Sequence, residues 1–325
     1  MTDTSCWALI LAAGDGRRLR RLTTTESGVA VPKQFCSLQH GPSLLQQALR
    51  RAQMLTDVER VCAVVAAQHA HWWPEQLESL PAANIIVQPE NRGTAIGTLL
   101  PLLHILERDP SARVALLPSD HLVRQEPVLA HSLREAAATT ARSSGEIVLL
   151  GLEPRAPDPQ LGYIVPGRAL RTRWRTVERF VEKPATGLAR ELIGRGALWN
   201  AFIIVAAGSA LLELFERRCR DVVRAMRPII AGATTRQSVG EALTRLYREL
   251  PQLDFSCDIL QGAERLLSVL AVPECGWSDL GTPRRVAEAL REFRLDDGPV
   301  PPSHCAPVLS LAAQNERLRR PFASH

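Results

Sequence analysis

The chain has 325 residues, 46% of them hydrophobic and 22% charged, with a formal net charge of +5. That length and balance give a soluble globular protein able to bury a full core, about the upper size of a single α/β domain. The arginines are scattered and aromatics make up only 5%, which disfavours a nucleic-acid partner, since stacking platforms and a basic stripe are both missing. Seven cysteines without a C-x-x-C pair indicate neither a disulfide framework nor a zinc site, and point to a reducing, cytoplasmic setting. The apolar run at the N-terminus is short and is followed, not preceded, by arginines, so it is not read as a signal peptide. No stretch approaches the roughly 20 apolar residues of a membrane helix, and no membrane partner is expected.

Cys6 to Leu11 is a continuous apolar run, the pattern of a buried parallel strand, and it breaks into Ala12-Ala13-Gly14-Asp15-Gly16. Residues 43–55 carry apolar positions at helical spacing, and 61–66 read as a strand. The rhythm continues with a strand at 85–87, a helix over 95–106, and a strand over 113–117 ending at Pro118-Ser119-Asp120-His121. Such alternation predicts a parallel, doubly wound sheet with its ligand crevice at the carboxyl ends of the strands. Further strands are expected at 147–150, 162–165, 177–181 and 201–205, with helices between. One domain over 1–290 is expected, its two halves about 1–150 and about 151–290. A loosely packed tail is expected over 291–325.

Of the 39 basic residues only Lys33 and Lys183 are lysine. A chain that uses arginine for generic positive charge keeps a compact ammonium where chemistry needs one; coding bias is the alternative. Gly14, Gly16 and Arg18 form G-x-G-x-R directly after the first strand, where backbone N–H groups can approach phosphate; an ordinary tight turn would look the same. Leu19 stands where a dinucleotide fingerprint needs its third glycine, and the P-loop Gly-Lys-Ser/Thr is absent. Lys33 is either a phosphate-neutralising cation or a solvated surface lysine. Asp120 and Asp279 are either Mg²⁺ ligands or helix caps, and His121 is read as a structural hydrogen-bonding histidine. Glu182 and Lys183 at a strand end should point to opposite faces, one toward a sugar hydroxyl and one toward a phosphate, or else form a solvated ion pair.

In order along residues 7 to about 285 stand LAAGDGRRL, VPKQF, QPENRGTA, LLPSDH, LGYIVP, FVEKP, WN, DFSCDIL and GWSDLGT. With these strings the chain resembles the sugar-phosphate nucleotidyltransferases, most of all the mannose-1-phosphate guanylyltransferases. The resemblance implies a Rossmann-like α/β fold with a mixed, mostly parallel sheet flanked by helices. It implies a Mg²⁺-dependent reaction of GTP with mannose-1-phosphate that forms GDP-mannose and pyrophosphate. By it, Arg18, Lys33 and Lys183 are catalytic, and Ala13, Gly14, Gly16, Gln88, Asn91, Gly93 and Thr94 hold the nucleotide. Gly162, Glu182, Lys183, Asn200 and Asp258 serve the sugar phosphate, and Asp120 and Asp279 the metal. A homodimer is left open. Ala201-Phe202 follows Trp199-Asn200 where relatives commonly carry Ser-Gly, which leaves the sugar open. Thymidylyl or uridylyl transfer to glucose-1-phosphate, and a catalytically silent sugar-nucleotide sensor, are the competing readings.

Overall fold

The computed structural model describes residues 6–25, 27–38, 41–142, 145–232 and 236–296. Its strands are β1 (Cys6–Leu11), β2 (Val61–Ala66), β3 (Ile85–Gln88), β4 (Arg113–Pro118), β5 (Ile147–Leu152), β6 (Tyr163–Ala169), β7 (Trp174–Val181), β8 (Leu198–Ala207) and β9 (Leu267–Ala271). They form one sheet in the order β3-β2-β1-β4-β8-β5-β9-β7-β6. β1 pairs in parallel with β2 and β4, and β2 with β3. β8 enters antiparallel between β4 and β5, and β7 runs antiparallel to β9 and β6. The result is a mixed, mostly parallel α/β sheet of Rossmann-like type.

Successive side chains of a strand point to opposite faces, so a sheet covered on both sides needs strands apolar at every position. β1 meets that demand: Cys6, Ala8 and Ile10 enter one core, and Trp7 and Leu9 the other. The first core is closed by α1 (Leu44–Gln53), α3 (Glu126–Thr140) and α8 (Pro283–Asp296). The second is closed by α2 (Thr94–Arg108), α5 (Gly208–Arg218), α6 (Arg220–Ala231) and α7 (Arg236–Glu249). α4 (Thr186–Gly194) covers the far edge through Ala189 and Leu192 against Tyr163 and Val165. Ser43 starts α1 with a full capping box, its hydroxyl accepting from Gln46 N–H while Gln46 Oε1 accepts from Ser43 N–H.

α8 runs through the expected boundary at residue 290 and is held there from its side: Glu292 takes ion pairs from Arg124 at 3.0 Å and Arg155 at 3.4 Å. The remainder of the expected tail, from 297, lies outside the described residues.

Candidate active site

The parallel strands end together, and the loops beyond their carboxyl ends enclose one cleft. Its two lobes share Gly14, Arg18, Thr94, Asp120 and Asp254. Every site residue expected from the sequence lines one lobe or the other.

At the first lobe, Gly16 has φ +62°, and a Cβ there would stand 2.9 Å from the backbone nitrogen of Lys33. The loop therefore needs glycine at that point. Gln34 Nε2 donates to the carbonyls of Ala12 and Gly14, both at 2.9 Å, and so fixes the glycine loop from beneath. Asp15 turns outward to Arg17 at 3.1 Å and to Gln68 at 3.2 Å. Arg18 Nη1 reaches across the mouth to Gln160 Oε1 at 3.1 Å.

Lys33 is 5% exposed, which removes the reading as a surface lysine. Its ammonium donates to Asp120 Oδ2 at 2.8 Å and to the Asp279 carbonyl at 2.6 Å, so one cation joins two loops that are remote in sequence. Burial alone would raise the Asp120 pKa; the Lys33 ammonium beside it, with His121 and Arg18, brings it below the usual carboxylate range. The two loops are also stitched by an antiparallel bridge, Leu122 N–H to Ser278 O at 2.9 Å and Ser278 N–H to Leu122 O at 3.0 Å. Neither aspartate caps a helix. α3 starts six residues after Asp120, and Asp279 Oδ1 accepts instead from Gly281 N–H at 3.1 Å.

His121 Nδ1 accepts from Trp277 Nε1–H at 3.2 Å, and burial pushes its pKa down to about 4. It is thus a neutral, structural histidine with Nε2 3.7 Å from Asp120 Oδ1. Arg285, which the sequence reading passed over, pairs with Asp279 Oδ1 and lies 3.2 Å from Asp158. It sits on the first turn of α8, six residues after Asp279, a spacing that carries no recognisable motif.

The nucleotide residues gather at the start of α2. Gly93 has φ +89°, and a Cβ there would lie 2.1 Å from the Leu253 carbonyl oxygen. Asn91 Oδ1 accepts from Gly93 N–H at 2.9 Å, and Thr94 Oγ1 accepts from Phe255 N–H at 2.8 Å. Gln88 is buried with its Oε1 unpartnered, facing Gly97, whose missing side chain keeps the space open. A buried acceptor without a donor costs roughly 1–3 kcal/mol, so this atom is built to meet one.

At the second lobe the expectation for Glu182 and Lys183 is corrected. They do not point to opposite faces: β7 ends at Val181 and Lys183 adopts φ +48°, which folds its ammonium back onto Glu182 Oε1 at 2.6 Å. Burial lowers the Lys183 pKa, and the Glu182 hydrogen bond and charge outweigh it, leaving a net rise. Glu182 Oε2 is buried and unpartnered. It presses on Gly162, where a Cβ would come within 2.5 Å of it, and Asn200 stands on the same wall.

Asp258 is not brought to that wall. It lies in the first lobe, on a π-helical turn (Phe255–Leu260), and its Oδ2 accepts from Asp254 N–H at 2.6 Å. Asp254, absent from the sequence reading, lines both lobes in its place.

A family profile described as Nucleotidyl transferase matches residues 7–294. The chain belongs to the nucleotidyl transferase family. The Xanthan biosynthesis protein XanB of Xanthomonas campestris pv. campestris (strain B100) is 31% identical over 285 residues, 84% of this chain and 57% of that protein. The Mannose-1-phosphate guanylyltransferase 2 of Escherichia coli O157:H7 is 26% identical over 294 residues, 87% of this chain and 59% of its own. The chain thus spans less than two thirds of the length of these curated relatives. Among solved structures, one described as a mannose-1-phosphate geranyltransferase from Thermus thermophilus superposes with TM-score 0.73 at 28% identity, covering 91% of this nucleotidyl transferase and 81% of that chain.

Proposed function

We propose that this nucleotidyl transferase joins GTP and mannose-1-phosphate to give GDP-mannose and pyrophosphate. The observation that carries this reading is one cleft holding an unpartnered buried acceptor in each substrate region, Gln88 Oε1 by the start of α2 and Glu182 Oε2 by Gly162, with Arg18 and Lys33 beside it. A base N–H satisfies the first acceptor and a sugar hydroxyl the second. The choice of guanosine and mannose is supported by relatives at 26–27% identity that are named mannose-1-phosphate guanylyltransferases.

In the reaction an oxygen of the sugar phosphate forms a bond to the α-phosphorus while the bond from that phosphorus to the bridging β-phosphate oxygen breaks. The electron pair leaves with pyrophosphate. The attacking oxygen is already anionic, so no general base is required, and the protein's work is in-line positioning and charge neutralisation. Gln34 holds the glycine loop against the triphosphate, and Arg18 and Lys33 neutralise the departing charge. Lys183, on its unusual backbone turn, meets the sugar phosphate.

Asp120 and Asp279 fit a Mg²⁺ ion. Each keeps one hard carboxylate oxygen, Asp120 Oδ1 and Asp279 Oδ2, outside its pair with Lys33 or Arg285, and phosphate oxygens and water would complete the shell of an ion held there. When bound, the ion supplies further neutralisation of the phosphates. Lys33, which donates to Asp120 Oδ2 and to the Asp279 carbonyl, would stand beside both the ion and the triphosphate and add its own positive charge there.

The test is a matrix of four nucleoside triphosphates against several hexose 1-phosphates with Mg²⁺, read as pyrophosphate release and by mass of the nucleotide sugar. GDP-mannose as the best product supports the reading. Nucleotide and sugar binding without any turnover would favour the silent sensor.

A further inference from the structure

Among the described residues three that are not glycine have positive φ: Lys183, Phe202 (+56°) and Leu280. All three line the cleft. Left-handed backbone is a genuine outlier for a bulky residue and is stored mainly at functional sites. Phe202 has its own local cause. Where β8 pairs with β5, Leu149 faces Ile204 and Gly151 faces Asn200, so Leu150 alone opposes Ala201, Phe202 and Ile203. The strand bulges there, and a bulge re-aims the side chain at its apex. Glycine is the default residue for the left-handed position of such a bulge.

Here the position carries a phenylalanine, and the surroundings hold it in place. Asn200 Oδ1 accepts the Phe202 N–H at 3.1 Å, satisfying the backbone donor the bulge frees. The ring packs edge-on against Phe255 at 5.6 Å, and Phe255 rests on Phe215 at 5.6 Å. That aromatic stack holds the ring, and Phe202 lines the cleft two residues beyond Asn200, an apolar residue beside the polar Glu182 and Asn200.

We infer that Phe202 is a specificity-determining residue whose ring acts as a size filter on the acceptor, admitting plain hexose 1-phosphates and excluding those with a bulky acylamino substituent. The inference rests on the proposed transfer to a sugar 1-phosphate. Its contact with Phe255 and the bulged backbone that Asn200 caps favour this placement of the ring.

The experiment compares kcat/KM for mannose-1-phosphate and glucose-1-phosphate with that for N-acetylglucosamine 1-phosphate in the parent chain, F202G, F202A and F202L. Removing the ring should lower the plain-to-acylamino preference by about tenfold or more, the scale at which a pocket wall discriminates by size. F202L, which keeps part of the apolar bulk, should lower it less than F202A does. F202G relieves the φ strain and F202A keeps it, so a change confined to F202G would assign the effect to backbone relief and overturn the filter. An unchanged preference in both folded variants would overturn it as well.

A measurement that keeps the ring in place is the ¹⁹F signal of 4-fluorophenylalanine incorporated at position 202. It should shift on addition of a sugar 1-phosphate with nucleotide; no shift under saturating ligand would refute contact. A parent chain with no turnover on any sugar phosphate would refute the proposed function itself, an outcome distinct from an active parent whose variants keep its preference.

Discussion

Arg285→Met isolates the electrostatic design of the cleft. The Arg285 and Asp279 side chains are 10% and 8% exposed, and Asp158 beside them is 13% exposed. Deleting one partner of a buried pair strands the other charge and typically costs about 3–5 kcal/mol, a large part of the roughly 5–15 kcal/mol that holds a domain folded. The variant should therefore show that loss in urea denaturation at neutral pH. Asp279→Asn in the same background should recover much of it, because the stranded charge is then gone, giving a coupling of about 1–3 kcal/mol. Mg²⁺ adds a second reading. If Asp279 shares a cation with Asp120, Arg285→Met exposes that carboxylate to the ion, and Mg²⁺ at about a hundred times its Kd returns about 2.7 kcal/mol. The double variant should gain less. A single variant within about 1 kcal/mol of the parent would refute the buried-pair argument, given the usual spread of surface substitutions. Equal Mg²⁺ stabilisation of the single and double variants would remove Asp279 from the metal site.

Three further outcomes follow from the same geometry. Lys33→Ala should lower kcat by about 10²–10³, as loss of an electrostatic stabiliser does, while Lys183→Ala should mainly raise KM for the sugar phosphate, by about tenfold or more for a lost charge-assisted contact; steady-state kinetics in both substrates checks the split, and two near-parental variants would sink both assignments. Gly93→Ala drives a Cβ to 2.1 Å from the Leu253 carbonyl at φ +89°; the resulting shift of the 252–255 segment should cost more than about 2 kcal/mol and raise KM for the nucleotide, and a loss under about 0.5 kcal/mol in urea melts would contradict it. His69 is buried beside Asp15, and burial lowers its pKa from the ordinary 6.5. The unfolded chain then takes up the proton first, so stability fully present above about pH 6.5 is lost as pH falls toward the lower folded value. The stability of the parent minus that of His69→Gln should decrease from pH 7.5 to 5; an increase would mean that a charged His69 pairs with Asp15.

The sheet was legible where its physics is local. Cys6–Leu11, Val61–Ala66 and Arg113–Pro118 are apolar at consecutive positions because both faces are covered, and that pattern is written in the residues themselves. The expected strand at 85–87 and helix over 95–106 likewise appear as β3, one residue longer, and α2, three residues longer. β9 went unread: Leu267–Ala271 is a short apolar run whose partners β5 and β7 lie some ninety residues or more away, and periodicity cannot separate such a run from buried helix. The α3 helix, with its alanine-rich buried face, also escaped.

The glycine loop, the strand-end carboxylates and the pair of lysines in an arginine-rich chain were legible in the sequence because they are local signals; Gln88, Asn91, Gly162 and Asn200 came only through the family resemblance, and Asp254 was given no role. The sequence did not determine their partners. That Lys33 bridges Asp120 and the Asp279 carbonyl, that Arg285 pairs with Asp279, that Lys183 folds back on Glu182 and that Asp258 turns to Asp254 are consequences of backbone turns and of loops brought together from distant positions. A charge's neighbours in space, rather than in the chain, set its protonation and its reach, and the tertiary structure alone supplies them.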